Sequence, residues 1–397
     1  IARVPLSRSE VGSVLLRRRE PDRGIDRASV PKVVDGILLD GIESRASDIQ
    51  VDRAGAQSQV RFRRDGVMHR VCSLCEEGAA ALIARLKAIA HMNTLDTLRP
   101  QDGRVSLRSG DHTFELRLSS IPTRQGESLM VRLLSGQTQY TELGQLGFPM
   151  GVVEQLQGYA QAPAGLFLVC GPADSGKTTT LHAMIRRSAS SGKKAVTVED
   201  PVEYPLADAL QVQARPELGF DIAATLRSIL RHTPDVIMVG EIRDEETTSL
   251  ALRAALTGHL VLATLHADSS RTALARLLNL GACALDLATV LIGVLAQRLA
   301  RTPCPACDTA AARTPQGEQH THDPARRCAR CWGTGYDGRT PIVEHYRPGA
   351  ADRERIARGD LPVGAPQPSL LDHARRLVGL RRVDVSEAAR VLDMEAS

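Results

Sequence analysis

Apolar residues between positions 33 and 44 return every three or four places, the spacing that turns one face of a helix toward a core. Asp48-Ile49-Gln50-Val51 follows as an extended piece. Residues 59–63 and 67–71 alternate apolar with polar instead, the period of two that a half-buried strand requires, and Asp65-Gly66 between them is a hairpin dipeptide. Helical spacing resumes over 77–92, and strand-like pieces recur at 104–108, 113–118 and 128–134. The pattern predicts a small α+β domain ending near Leu134.

A linker of small and polar residues at 135–141 separates this domain from a second texture. Short runs that are apolar throughout stand at 166–169, 195–198, 236–239 and 260–263, with amphipathic helical stretches between them. Strands without alternation are buried on both faces, so the expected fold class is α/β, a parallel sheet covered by helices. The run 285–295 is too short for a membrane span, carries Asp286, and reads as a buried helix. The parts are taken as an Arg-rich flexible arm at 1–32, the small domain at 33–134, a linker and first helix at 135–160, and the α/β core at 161–300. A cysteine-bearing insertion at 301–347 and a helical segment at 348–397 complete the chain.

Composition narrows the possible functions. A net charge of +4 over 397 residues is small, and 3% aromatic content leaves little for stacking on bases, so direct nucleic-acid binding is not expected. The sequence opens without the pattern of a secretory signal and has no apolar run near 18 residues, so contact with a membrane is expected only through partners. A reducing compartment follows, in which clustered cysteines bind metal more readily than they form disulfides.

Gly171-Pro172-Ala173-Asp174-Ser175-Gly176-Lys177-Thr178, with Thr179 next, fits the Walker A pattern between an apolar run and a helix. Backbone N–H groups of such a loop cradle phosphates, a lysine adds a point charge at the β and γ phosphates, and the Thr178 hydroxyl reaches magnesium. Lysine is scarce here (Lys32, Lys87, Lys177, Lys193 and Lys194) in a chain that otherwise uses arginine. Its presence at 177 therefore reflects chemistry that the planar guanidinium cannot supply. Asp174 occupies a place where the backbone hugs phosphate and glycine is common; its carboxylate either faces solvent or weakens anion binding.

Two apolar runs end in carboxylates: 236–239 leads into Gly240-Glu241, and 195–198 into Glu199-Asp200-Pro201-Val202-Glu203-Tyr204. Ligands of α/β sheets bind outside the carboxyl ends of strands, so these acids are placed to meet a metal and an attacking water. The segments 198–204, 233–244 and 257–267 resemble the Asp box, Walker B and His box of the type II secretion and type IV pilus assembly ATPases. Pro100-Gln101-Asp102-Gly103-Arg104, Leu116-Arg117-Leu118-Ser119 and Val131-Arg132-Leu133-Leu134 resemble that family's N-terminal half-motor. The resemblance implies a RecA-like P-loop NTPase domain behind a PAS-like α+β domain, with ATP between them. Glu241 would be the water-activating acid, with Glu199, Asp200 and Glu203 holding magnesium and water. His259 and His266 would sense the γ-phosphate, and Arg117 and Arg132 would be arginine fingers. It further implies a homohexamer, cytoplasmic and peripheral at the inner membrane, acting on an inner-membrane platform protein and the cytoplasmic domains of the machinery. Departures from the family pattern are Asp174, Gln50 in place of a histidine, a shortened 95–100 segment and a nearly absent docking domain. They leave open a nucleotide-binding structural subunit of weak turnover, which a steady-state ATPase assay separates from a motor.

Cys304-x-x-Cys307 and Cys328-x-x-Cys331 have the spacing of a closed tetrathiolate zinc site, structural because no position remains for water. Secretion-type members of the resembled family carry such an insertion. Cys72-x-x-Cys75 has no second pair nearby, and Cys170 and Cys283 read as small buried hydrophobes.

Overall fold

The computed structural model describes residues 3–5, 30–54, 57–109, 112–135, 142–308, 328, 330–331, 334–361 and 364–393. Most of the arm at 1–32, the linker at 136–141 and most of the stretch between the two cysteine pairs lie outside them. The chain divides into two compact units, Ile1–Thr138 and Gln139–Ser397.

The first unit is a seven-stranded sheet in the order β1-β5-β6-β7-β2-β3-β4, with two helices among the described residues. Its elements are β1 (Arg3–Pro5), α1 (Val30–Glu43), β2 (Asp48–Ala54), β3 (Gln57–Arg64), β4 (Val67–Leu74), α2 (Glu76–Ile89), β5 (Gln101–Ser109), β6 (His112–Thr123) and β7 (Gly126–Ser135). Only the β1–β5 pairing is parallel; the other neighbours run antiparallel. Alternation sorts the two faces. Ile49, Val51, Val60, Phe62, Val105, Leu116, Leu118 and Val131 are buried, as are Val34 and Leu38 of α1 and Leu82 and Leu86 of α2. The residues between them on the strands are polar. The β3–β4 hairpin turns on Asp65 and Gly66, both at positive φ (49° and 82°), as a two-residue type I′ turn requires.

The second unit carries the sheet β10-β9-β11-β12-β8-β13-β14, parallel except for the antiparallel edge strand β14. Its strands are β8 (Gly165–Cys170), β9 (Ala195–Glu199), β10 (Leu210–Gln213), β11 (Val236–Val239), β12 (Leu260–Leu265), β13 (Leu291–Pro303) and β14 (Tyr336–Tyr346). The principal helices are α3 (Met150–Gln161), α4 (Lys177–Ala189), α5 (Ile222–Ile229), α6 (Glu245–Leu256), α7 (Ser270–Asn279), α8 (Ala284–Val290), α9 (Ala350–Ala357), α10 (Leu370–Gly379) and α11 (Val385–Leu392). Every residue of β8, β9, β11 and β12 is buried, which explains why these strands read as unbroken apolar runs. One apolar cluster joins Leu166, Val198, Ile237 and Val261 to α5, α6, α7 and α8; another joins Phe167, Val169 and Leu262 to α3 and α4.

Two expectations change here. The run 285–295 is not one helix: α8 ends at Val290, and β13 begins at Leu291 because that edge of β8 offers a free backbone ladder. Cys283 is exposed, standing before α8 and outside the core, whereas Cys170 is buried as expected. The sheet also continues past residue 300, since β13 and β14 pair from Val294↔Tyr346 to Pro303↔Tyr336.

α11 is tied to this hairpin by a buried carboxylate. Glu387 accepts from the Arg301 backbone N (2.9 Å) and Nη2 (2.7 Å), and from Arg390 Nε (2.8 Å) and Nη2 (2.7 Å). Burial alone would raise its pKa; the bonds from Arg390 and Arg301 outweigh it and hold the carboxyl down at about 2. Because the folded pKa is depressed, the stabilisation is complete above the unfolded value of roughly 4.3 and is lost as pH falls toward 2. Glu387→Gln is expected to cost about 1.5–3 kcal/mol at pH 7 and to flatten acid unfolding between pH 4 and 2, read by denaturant titration across pH.

Candidate functional site

β8 delivers the chain into the loop 171–176, and α4 starts at Lys177. Gly171 has φ 154°, and a Cβ there would stand 2.2 Å from the backbone oxygen of Gln297. Gly176 has φ 85°, and a Cβ would lie 2.8 Å from Gln297 Nε2. Both positions therefore require glycine on two counts. Lys177 folds back over the loop, donating from Nζ to the backbone oxygens of Gly171 (3.0 Å) and Pro172 (2.6 Å). Burial lowers its pKa, and the negative charge of Glu241 opposes this most strongly. Pro172, Ala173 and Asp174 are exposed, Ser175 is buried, and Thr178 and Thr179 are half-buried on the first turn of α4. Asp174 takes φ 57°, a left-handed conformation that aspartate bears better than most residues, and its exposure fits the solvent-facing reading.

The carboxyl ends of β9, β11 and β12 lie along the same edge of the sheet as this loop. Glu241, just past β11, lies between two basic side chains: Arg243 Nε at 2.6 Å and His266 Nε2, just past β12, at 3.2 Å. Arg243 Nη1 is 4.0 Å from Asp200, so the segment after β9 is drawn to the same place. Gly240 precedes Glu241 because a Cβ would press to 3.0 Å from the Val198 oxygen and 3.2 Å from Glu199 Cα. Glu203 is exposed on the segment after Asp200, and Tyr204 Oη donates to Thr179 Oγ1 at 3.1 Å.

Two predicted members do not join this group. Glu199 is only 3% exposed. Its carboxylate accepts from Thr197 Oγ1 (2.6 Å) and Gln211 Nε2 (3.0 Å), and lies 3.1 Å from His182 Nε2 of α4. Burial would raise its pKa, but the contacts to His182, Thr197 and Gln211 hold it below the usual carboxylate range. With its oxygens spent on protein donors, Glu199 fastens β9 to α4. His259 stands before β12, whereas His266 stands after it. Six strand residues, about 20 Å, separate the two ends. His259 Nδ1 lies 2.9 Å from the Ala254 oxygen and 3.2 Å from Thr257 Oγ1, at the end of α6. It serves that helix terminus and is remote from the phosphate loop.

In the first unit, Arg117 and Arg132 are direct cross-strand partners, and the same row continues as Arg104, Arg117, Arg132, Asp48 and Arg63 across five strands. Asp48 is buried and accepts from Arg132 Nε at 2.9 Å, with Arg63 Nε at 3.4 Å. The two expected fingers thus stand side by side on the polar face.

The four sulfurs of Cys304, Cys307, Cys328 and Cys331 lie within 4.8 Å of one another, the one such group of potential metal ligands among the described residues. Cys304–Cys328 is 3.9 Å and Cys307–Cys331 is 3.4 Å. Tetrahedral zinc with bonds of about 2.3 Å needs sulfurs about 3.8 Å apart, so the residues fit the ion. Backbone N–H bonds from Cys331 and Arg330 lower the Cys328 thiol to about 7, and burial raises Cys304 and Cys307.

Two participants escaped sequence reading. Arg243 has a local signal, a cation two residues past the strand-end acid. Gln297 has none, being 122 residues from the carbonyl it binds.

A glycine-gripped phosphate loop, a basic residue folded over it and a strand-end acid beside it on a parallel sheet define a P-loop nucleotide-binding protein. Over residues 24–382 the chain belongs to the family of Type II/IV secretion system proteins. It is 37% identical over 371 residues to the Type II secretion system protein E of Dickeya dadantii, covering 92% of this chain and 73% of that protein. It is 38% identical over 331 residues to the type IV pilus assembly ATPase PilB of Thermus thermophilus, covering 81% of this chain and 37% of PilB. Among solved structures it resembles the pilus retraction motor PilT with bound ADP, with a TM-score of 0.59, 26% identity, and 91% and 96% of the two chains covered. The Legionella pneumophila ATPase DotB shares the fold, with a TM-score of 0.68 at 18% identity. The family is one of secretion and pilus ATPases, and the fold expected from the motifs is the fold observed. Among the described residues no helix is long and apolar enough to cross a membrane.

Proposed function

We propose that this chain is the motor subunit of a type II secretion or type IV pilus assembly machine, hydrolysing ATP to drive pseudopilus or pilus growth. The observation that carries this reading is the position of Glu241, fixed between Arg243 and His266 at the strand edge where Lys177 crosses the phosphate loop.

In this reading, loop N–H groups and Lys177 bind the β and γ phosphates, with Lys177 exchanging its contacts to the Gly171 and Pro172 oxygens for phosphate oxygens. Glu241 takes a proton from water as its oxygen bonds to the γ-phosphorus and the bond to the β–γ bridging oxygen breaks. Arg243 and His266 hold that carboxylate in place. The Thr178 hydroxyl would hold magnesium, with Asp200 and Glu203 past the carboxyl end of β9 as further candidate ligands, and the ion would neutralise phosphate charge. Arg117 and Arg132 act as fingers, stabilising charge on the transferring group. The active form is a homohexamer at the cytoplasmic face of the inner membrane, reaching the bilayer only through a platform protein and the cytoplasmic domains of its partners. Zinc holds the four-cysteine module.

The test is the purified chain with magnesium and ATP. Saturable binding below millimolar ATP, together with release of phosphate, is the expected result. Absence of binding at millimolar ATP removes the reading; binding without turnover would instead leave a structural nucleotide-binding subunit.

A further inference from the structure

Gln297, on β13, lies beneath the phosphate loop, and nothing in the reaction just described uses it. Its side-chain amide is buried, at 3% exposure. Nε2 donates to the Ser175 backbone oxygen at 2.8 Å, and Oε1 accepts from Thr180 Oγ1 of α4 at 2.8 Å. Its backbone oxygen lies where a Cβ on Gly171 would be, and its Nε2 crowds the Cβ position of Gly176. Leu299, two residues on and on the same face of the strand, comes within 3.5 Å of that second position. One residue therefore touches the loop at its entrance, at its penultimate carbonyl and on the first turn of its helix.

We infer that Gln297 is a positioning residue for phosphate binding: its amide draws the Ser175 carbonyl down into the sheet, so that the loop presents N–H groups and not oxygens to an anion. The physical need is plain. An anion cradle works through converging donors, and one carbonyl rotated inward sets a partial negative charge against the phosphate. Ser175 is buried, so its carbonyl needs a protein donor, and Gln297 Nε2 supplies one. The glutamine amide donates to the carbonyl and accepts from Thr180 at once. This inference rests on the ATP reading above, but its test separates the two.

Gln297→Met keeps the length of the side chain and removes both polar atoms. Affinity for ATP and for ADP, each with magnesium, is measured by calorimetry on the full chain, beside the melting temperature without nucleotide. The expected result is a loss of about tenfold for both nucleotides, the worth of one buried hydrogen bond, with the nucleotide-free melting temperature within a few degrees of the parent. Thr180→Val, which frees the amide to rotate without touching Ser175 and also removes the hydroxyl's 3.2 Å contact to the Gly176 oxygen, should lose affinity in the same direction and serves if the first variant does not fold. Unchanged affinity in either folded variant overturns the inference while the parent's own binding keeps the ATP reading intact. A loss of affinity matched by a comparable fall in the nucleotide-free melting temperature also overturns it, because general loosening would then account for the effect. A parent that binds neither nucleotide removes the ATP reading itself.

Discussion

Glu241→Gln is expected to lower the rate of ATP hydrolysis by about 10²–10⁴ while leaving nucleotide affinity close to that of the parent. The amide keeps the shape of the side chain, and its one oxygen can still accept from Arg243, which approaches the native carboxylate at 2.6 Å, with the NH2 turned toward His266, 3.2 Å from the other native oxygen. It cannot take a proton from water. Lys177→Ala should fail differently, losing binding and turnover together, because its charge serves phosphate in the ground state as well as in the transition state. Single-turnover kinetics beside equilibrium binding distinguish the two patterns. A Glu241→Gln protein that hydrolyses ATP at the parental rate would move the general base elsewhere, and Asp200, drawn to the same place through Arg243, would be the next residue to test.

Much of this site was legible because its chemistry is written in contiguous residues. The phosphate loop, the strand-end Glu241 and the paired cysteines are each set by spacings of a few residues, and local backbone geometry then decides where they point. The Asp65-Gly66 hairpin was legible for the same reason, since both residues had to accept positive φ. What could not be read were properties belonging to the sheet as a whole. His259 and His266 fall in one short segment, yet a strand carries them to opposite ends of the sheet, and only the topology tells which end holds the phosphate loop. Glu199 and Asp200 are adjacent, but the pleat turns the first inward to His182 and leaves the second exposed. Gln297 gives no motif at all; its meaning comes from β13 pairing with β8, which brings a distant strand under the loop. Cys283 was read as buried because cysteine usually is, but it stands at the exposed start of α8.

Removal of zinc should have the second large effect, confined at first to the end of the β13–β14 hairpin. Cys304 and Cys331 are fully buried there, and backbone bonds from Cys304 N to the Gly335 oxygen (2.8 Å) and from Thr334 N to the Cys331 oxygen (3.1 Å) fix the two knuckles. The sequence between the two cysteine pairs holds no large apolar residue, so burial of hydrocarbon contributes little. Structural zinc in comparable modules contributes about 10–16 kcal/mol of binding free energy, and that energy is folding energy for the segment. The sulfurs must be thiolates to ligate, so protons compete, and zinc retention should weaken as pH falls. The expected observations are one zinc per chain by elemental analysis, loss of that zinc in Cys331→Ser, and new proteolytic cleavage within 301–347 in the variant or after chelation. Nucleotide binding through Lys177 should survive the first cuts, because the four parallel strands from β9 to β8 that carry the loop and Glu241 are fully buried without the cysteine module. A Cys331→Ser protein that kept a full equivalent of zinc and the parental cleavage pattern would show that these thiols do not hold the hairpin, and the module's order would then have to come from the β13–β14 pairing and from Glu387 with its two arginines.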